Sequence, residues 1–231
     1  MSRKNKISAG KAVVLLSGGL DSSTTLYLAK KQGFDCYCLI FDYAQRHKKE
    51  IESARSVARS ARCKYTVVRI SLPWGGSSLL DVHRNVPLAS DRSEKSIPST
   101  YVPARNIIFL SSALSYAEAI NAKAVFIGAH AQDYSGYPDC RPEFYRAFRK
   151  AAAHGTKSGV EKKGIEIKTP LIMKNKAEIV RLGVSLGVPF ELTWSCYKGG
   201  LKPCGKCDSC YYRAKGFKEA GMIDPLIRSR K

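Results

Sequence analysis

The stretch Ser17-Gly18-Gly19-Leu20-Asp21-Ser22-Ser23-Thr24 follows four consecutive apolar residues, Val13-Val14-Leu15-Leu16. A run of this kind suits a strand buried on both faces, and paired glycines let the backbone turn sharply and approach a ligand closely. Asp21, Ser22 and Ser23 are good N-cap and first-turn residues, so the loop ends on unpaired backbone N–H groups at the positive end of a helix dipole. Such a loop binds an anion, and phosphate fits it best. No Gly-Lys-Ser/Thr follows at Walker A spacing, and the dinucleotide pattern Gly-x-Gly-x-x-Gly is absent. The plainer alternative is a strand-to-helix turn that needed two glycines.

The most specific spacing is Cys196-x7-Cys204-x2-Cys207-x2-Cys210, four of the eight cysteines within fifteen residues. Gly199, Gly200, Pro203 and Gly205 bend the chain so that the thiolates can converge. Four sulfurs complete a tetrahedral zinc shell with no open position, which makes the metal structural. Disulfides and an iron–sulfur cluster are the rivals; without a secretion signal, disulfides are the weaker one.

Three further groups of polar residues stand where a ligand would need them. Tyr43-Ala44-Gln45-Arg46-His47 lies just past a strand, though it equally suits the exposed first turn of the next helix. Asp133-Tyr134-Ser135-Gly136-Tyr137-Pro138-Asp139-Cys140-Arg141 is the densest polar stretch, costly to bury unless it recognises something. A decorative loop is its alternative, and Cys140 reads as a small, partly buried thiol rather than a nucleophile. Lys176 falls at a helix start, where a cation opposes the dipole; a phosphate partner explains it, and a solvated surface lysine is the alternative.

The elements that must hold these groups alternate strand and helix. A helix after the loop ends near Gln32-Gly33; residues 35–42 read as a second strand, 48–62 as a helix and 65–70 as a third strand. Residues 71–104 lose periodicity under repeated proline and glycine, as a lid, substrate loop or subunit contact would. A helix through about Ile120 follows, then a strand over 124–128, a helix over 144–153, a mobile basic loop over 155–164 and a short strand ending at Leu171. The last helices are expected over 176–182, capped by Asn175, and over 211–220. Strand–helix alternation with right-handed crossovers predicts an α/β protein with a doubly wound parallel sheet. Residues 1–171 form the nucleotide-binding unit and 172–231 a helical subdomain stapled by zinc.

The 231 residues allow one sizeable core with a small appended module. No run of 18 apolar residues occurs and residues 1–11 lack a signal-peptide core, so the expected location is the cytoplasm with no membrane partner. The formal net charge of +20, from 39 Lys+Arg against 19 Asp+Glu, invites a nucleic-acid partner. The basic residues are spread along the whole chain without a stacking motif, so nucleic acid is not the expected substrate.

The loop Ser17-Gly18-Gly19-Leu20-Asp21-Ser22 resembles that of the PP-loop ATP pyrophosphatases. Together with Tyr43-Ala44-Gln45-Arg46-His47, Val102-Pro103-Ala104-Arg105-Asn106, the stretch from Asp133 to Arg141, Thr169-Pro170-Leu171 and the four cysteines, it resembles the QueC family from about residue 12 to 226. One departure is Ala44, where glycine is expected more often. The resemblance implies an adenine nucleotide alpha hydrolase-like fold and a ligase forming a carbon–nitrogen bond. The implied substrates are ATP, ammonia and 7-carboxy-7-deazaguanine, whose carboxylate becomes a nitrile through an adenylate and an amide, in queuosine and deazapurine synthesis. It implies ATP binding by Leu16, Ser17, Gly18, Gly19, Leu20, Asp21, Ser22, Ser23 and Thr24, with magnesium on Asp21 or Asp133. Asp21, Arg46, Arg105, Asp133 and Lys176 are the implied catalytic residues. Gln45, His47, Asn106, Tyr137, Asp139 and Arg141 are the implied substrate contacts, with zinc on the four cysteines and a homodimer as the assembly. The rivals are a PP-loop tRNA-modifying enzyme, a non-catalytic zinc-bearing nucleotide sensor, and a related enzyme that attaches the deazapurine to a protein.

Overall fold

The computed structural model describes residues 8–81, 83–91, 97–130 and 136–228. Five strands, β1 (Lys11–Leu15), β2 (Asp35–Asp42), β3 (Lys64–Arg69), β4 (Ala124–Phe126) and β5 (Glu166–Lys168), form one parallel sheet in the order β3-β2-β1-β4-β5. Alternation along the strands sends side chains to two cores. Val13, Leu15, Leu39, Phe41, Val125 and Ile167 meet α3 (Arg105–Ala119) and α4 (Pro142–Gly155) on one face. Ala12, Val14, Cys36, Cys38, Ile40 and Phe126 meet α1 (Leu20–Lys31) and α2 (Lys49–Ser60) on the other. Both faces are covered, so the sheet is doubly wound as expected.

From β1 the chain winds outward to β2 and β3, then crosses back to place β4 on the other side of β1. That reversal opens a crevice beyond the carboxyl ends of β1 and β4, the place where such sheets bind ligands. The phosphate-type loop and Ala129-His130 sit at this edge.

A shorter helix, α5 (Lys157–Val160), falls inside the segment expected to be a mobile loop. Thr156 caps it, its Oγ1 accepting from Gly159 N at 3.0 Å, and Glu118 Oε1 accepts from Ser158 N at 2.7 Å, so local hydrogen bonds fix what composition left open. After β5 come α6 (Lys176–Ser185), α7 (Asp208–Glu219) and the short α8 (Pro225–Arg228). Asn175 caps α6 as expected: its Oδ1 accepts from Glu178 N at 2.9 Å and Glu178 Oε2 accepts from Asn175 N at 2.8 Å. Ile179, Val180 and Phe217 bury α6 and α7 against Leu20 of α1, so the C-terminal helices brace the helix that follows the phosphate-type loop.

Candidate active site

The loop between β1 and α1 is held open by three constraints. Gly18, at φ +79°, lies so close to α2 that a Cβ would sit 2.4 Å from Ala54 N and 2.5 Å from Glu50 O. A Cβ at Gly128, just after β4, would lie 3.0 Å from Ser22 N, so this glycine lets the two strand ends close on each other. Trp194 N donates to Gly18 O at 2.9 Å, fastening the loop to the segment before the cysteines. Within the loop, Ser22 Oγ accepts from Ser17 N at 3.2 Å and lies 3.0 Å from Ser17 Oγ, which fixes both hydroxyls at the mouth of α1.

Two cavities meet there. The larger, about 260 Å³, is lined by Leu16, Ser17, Gly19, Leu20, Asp21 and Ser22 and faces Gln45, Glu50, Arg105, Asn106, Tyr137 and Cys140 across the crevice. The smaller, about 110 Å³, shares Leu20, Asp21 and Tyr137 with it and adds His130, Lys176 and Arg213. Of the residues expected to bind nucleotide, Gly18, Ser23 and Thr24 are not in either wall. Ser23 and Thr24 are fully buried, and Thr24 Oγ1 donates to Leu20 O at 2.8 Å, so they build the helix start rather than its open face.

Asp21 joins the cavities. Lys176 Nζ donates to its two carboxylate oxygens at 2.9 and 3.0 Å and lies 2.8 Å from His130 Nε2. Burial alone would raise the Asp21 pKa, but Lys176 and His130 together outweigh it and hold the carboxyl below its ordinary value. Lys176 is only 9% exposed, which rules out the solvated surface lysine; the partner that offsets the helix dipole is a carboxylate of this chain.

Across the larger cavity, Arg105 opens α3. Its Nη1 donates to Tyr43 Oη at 3.2 Å and its guanidinium lies 5.8 Å from the Tyr43 ring centroid and 6.0 Å from that of Phe109. Asn106 is buried: its N donates to Asp139 Oδ2 at 3.0 Å, and its Nδ2 donates to Asp139 O at 3.2 Å. Gln45 folds back on its own strand, Oε1 accepting from Tyr43 N at 2.9 Å. Tyr137 Oη lies 2.7 Å from Thr100 Oγ1, which anchors the irregular segment to the cavity wall.

The remaining expected residues point elsewhere. Asp139 is buried and caps the start of α3, where Ala104 at φ +54° supplies no side-chain cap, so its carboxylate serves the helix and not the cavity. Arg141 is exposed outside both cavity walls. Arg46 Nη1 donates to Arg84 O at 2.7 Å, and His47 packs on the cysteine loop, where a Cβ at Gly199 would meet its Cβ at 2.1 Å. Both therefore pin loops rather than line a cavity. Asp133 lies outside the described residues. Ala44 stands at φ +57°, a left-handed position where glycine is unstrained, and its exposed methyl is not part of either wall.

The four cysteine sulfurs all lie within 4.8 Å of one another, and Cys204 and Cys210 Sγ are 3.9 Å apart. A tetrahedral zinc–thiolate shell puts its sulfurs about 3.8 Å apart, so this donor set fits zinc. Backbone N–H groups of Cys204, Lys206 and Cys207 point at Cys196 and Cys204 Sγ at 3.3 to 3.5 Å, as thiolates require. The cluster is packed with Val86 and Trp194, and Ala89 N donates to Lys206 O at 3.0 Å. It thus ties the irregular segment, the Trp194 strap and α7 together, outside the cavity walls.

The chain matches the family model described as queuosine biosynthesis protein QueC over residues 11–221. It belongs to the QueC family. A 7-cyano-7-deazaguanine synthase of Trichodesmium erythraeum is 54% identical over 221 residues, 94% of this chain and 100% of that protein. One of Acetivibrio thermocellus is 54% identical over 217 residues, covering 94% and 96% respectively. One of Thermoplasma volcanium is 52% identical over 221 residues, covering 95% and 91%. Among solved structures, an NMN synthetase from Francisella tularensis is 16% identical at a TM-score of 0.48, over 96% of this chain and 78% of that one.

For this member of the QueC family, sequence reasoning missed Glu50, in the first turn of α2. It lines the larger cavity, and burial pushes its carboxyl up to about 7 against the opposing pull of Arg105, with a smaller push upward from Cys196. Its spacing after Gln45-Arg46-His47 matches an ordinary acidic first turn, and only the packing of α2 against Gly18 reveals where it sits.

Proposed function

We propose that this chain is an ATP-dependent ligase that converts 7-carboxy-7-deazaguanine and ammonia into 7-cyano-7-deazaguanine. The observation that carries the reading is full-length similarity to enzymes of that name in a chain whose Ser17, Gly19, Asp21 and Ser22 line one cavity with Arg105, Asn106 and Tyr137.

A carboxylate is a poor electrophile because its oxygen leaves badly. The reaction therefore begins with that oxygen attacking the alpha phosphorus of ATP, which forms an acyl adenylate joined through the substrate oxygen and releases pyrophosphate. The loop from Leu16 to Thr24 holds the phosphates on its backbone N–H groups and the Ser17 and Ser22 hydroxyls, with Gly18, Ser23 and Thr24 setting its shape. Lys176 moves its charge from Asp21 toward the phosphates, and Arg105 offsets the charge of the substrate carboxylate and of the phosphorus in flight. Ammonia then attacks the activated carbonyl, AMP leaves with the substrate oxygen, and a proton departs from nitrogen to give the amide. A second adenylation, at the amide oxygen, releases another pyrophosphate; loss of two protons from nitrogen and departure of a second AMP carrying that oxygen then give the nitrile. Gln45, Asn106 and Tyr137 shape the substrate side of the cavity. Arg46 and His47 act from outside it by holding neighbouring loops, and Asp139 by capping the start of α3.

Magnesium would arrive on the phosphates. Asp21, whose two oxygens accept from Lys176 in this structure, would be open to the ion once Lys176 turns to the phosphates. Zinc, held by Cys196, Cys204, Cys207 and Cys210, supplies a structural cross-link and no chemistry. Residues 1–171 serve as the nucleotide-binding unit and 172–231 as the subdomain that delivers Lys176 and the zinc staple. The protein works in the cytoplasm, where four reduced thiolates can bind metal. It works as a homodimer through a face including the exposed Trp74, and sedimentation should give twice the chain mass.

Among the described residues no helix is long and apolar enough to cross a membrane.

The test is mass spectrometry of a reaction holding purified zinc-loaded protein, ATP, magnesium, ammonium and 7-carboxy-7-deazaguanine. The amide should appear first and the nitrile after it. A folded protein that yields neither, or that consumes ATP only when tRNA is added, overturns the reading.

A further inference from the structure

A guanine-type base presents an N–H and an exocyclic amino group side by side on one edge, and a carboxylate with two free oxygens is the side chain that accepts from both. Asp139 cannot serve, because its Oδ2 accepts from Asn106 N at the start of α3, its Oδ1 faces Cys140 Sγ and it is not in either cavity wall. Two carboxylates among the described residues do line the larger cavity, Asp21 and Glu50. Both oxygens of Asp21 accept from Lys176. Glu50 accepts no hydrogen bond and forms no ion pair among the described residues; Arg105 acts on it only through space. Its backbone packs directly on the phosphate-type loop, its carbonyl lying where a Cβ at Gly18 would be 2.5 Å away, so only glycine there lets α2 come this close. Aromatic walls stand beside it. Phe41 and Phe109 stack with centroids 3.9 Å apart, and Tyr43 lies 5.4 Å from Phe109, all three lining the same cavity.

We propose that Glu50 is the specificity-determining residue of the cavity, its carboxylate accepting from the ring N–H and the exocyclic amino group of the deazaguanine while the Phe41–Phe109 wall faces the ring. The assignment rests on the synthase reading above. It explains why a carboxyl that no donor of this chain satisfies stands in a largely buried cavity, where an unmatched polar group is costly unless a ligand completes it. It also separates the two ends of the substrate: the base edge at α2, the reacting carboxylate toward Arg105 and the loop.

Calorimetric binding of 7-carboxy-7-deazaguanine and of its analogue lacking the exocyclic amino group, to wild type and to Glu50→Gln, tests it, with ATP binding measured in parallel. Wild type should prefer the amino-bearing acid by roughly 100-fold, since the analogue leaves a buried acceptor unmatched. In Glu50→Gln that preference should collapse to a few-fold while ATP affinity is unchanged. Glu50→Asp, which withdraws the carboxylate from the base edge by one methylene, should cut the preference several-fold with ATP affinity unchanged, and a full preference in it overturns the proposal if the glutamine variant does not fold. Equal binding of the two acids by wild type, or a preference that survives in Glu50→Gln, overturns the proposal, as does a loss of ATP affinity matching the loss of acid affinity. Failure of wild type to bind either acid counts instead against the synthase reading.

Discussion

Two ion pairs border the smaller cavity, and they are built differently. Arg213 and Asp224 have side chains only 6% and 4% exposed. The guanidinium donates from Nε and Nη2 to the two carboxylate oxygens at 2.6 and 2.8 Å and spends its other N–H groups on Thr193 Oγ1, Ser195 Oγ and Phe190 O. Leu226 N donates to Asp224 as well, at 3.0 Å. Lys176 and Asp21 have side chains 11% and 25% exposed, in contact with cavity space, and an ammonium is a point charge that can change partner without breaking a planar fork. The first pair is a closed network that fixes the Trp194 strap to α7. The second is a charge held in reserve beside the phosphate-type loop. Similar charges thus form a scaffold where every donor is matched inside the chain and, under the function proposed above, machinery where a ligand can take a partner's place.

The largest expected effect separates the two. Arg213→Met leaves Asp224 buried and unpaired and should lower stability by about 3–5 kcal/mol. Thermal unfolding would show this as a fall of roughly 10 °C, with turnover per folded molecule little changed. A variant of unchanged melting temperature that has lost turnover would break the comparison. Lys176→Met should do the reverse, slowing turnover by roughly 100-fold or more through lost charge stabilisation while costing only about 1 kcal/mol of stability, because Asp21 can be hydrated from the cavity.

The pH dependence sharpens the second half. Asp21 has a folded-state pKa below its ordinary 3.8, so its contribution is present above that pH and is lost as pH falls through the folded value. The stability difference between wild type and Lys176→Met should therefore shrink as acid titration proceeds below pH 3.8, a convergence readable in melts taken at successive pH values. The smallest effect lies outside both pairs. Ala44→Gly relieves a left-handed alanine and should raise stability by up to about 1 kcal/mol with turnover unchanged. A change in turnover would mean that the loop after β2 reaches the substrate more closely than its exposed methyl suggests.

Much of this was legible in the chain. Buried apolar runs located the central strands and the Asn175 cap located α6, because those signals are local; α1 instead starts behind Gly19 with no side-chain cap, and Asp21, Ser22 and Ser23 lie inside its first turns. The loop from Ser17 to Ser22 and the spacing from Cys196 to Cys210 are short enough that residue order alone constrains their geometry. Longer-range pairing was not readable. Lys176 and Asp21 are 155 residues apart, and nothing near either one shows that a carboxylate, not only phosphate, answers that lysine. Asp139 looked like a ligand group because composition cannot tell that an uncapped helix 33 residues earlier would claim it. Glu50 was hidden by the opposite error, an ordinary first-turn glutamate whose exposure to the cavity depends on how closely α2 packs on Gly18.

The central claim is that the substrate's carboxylate oxygen is passed to the alpha phosphorus of ATP at this loop. Supplying 7-carboxy-7-deazaguanine labelled with oxygen-18 in the carboxylate, in the presence of ammonium, and measuring the mass of the nucleotide product tests it directly. The label should appear in AMP, one labelled oxygen for each activation. Label found in inorganic phosphate beside ADP, or in water alone, would contradict it.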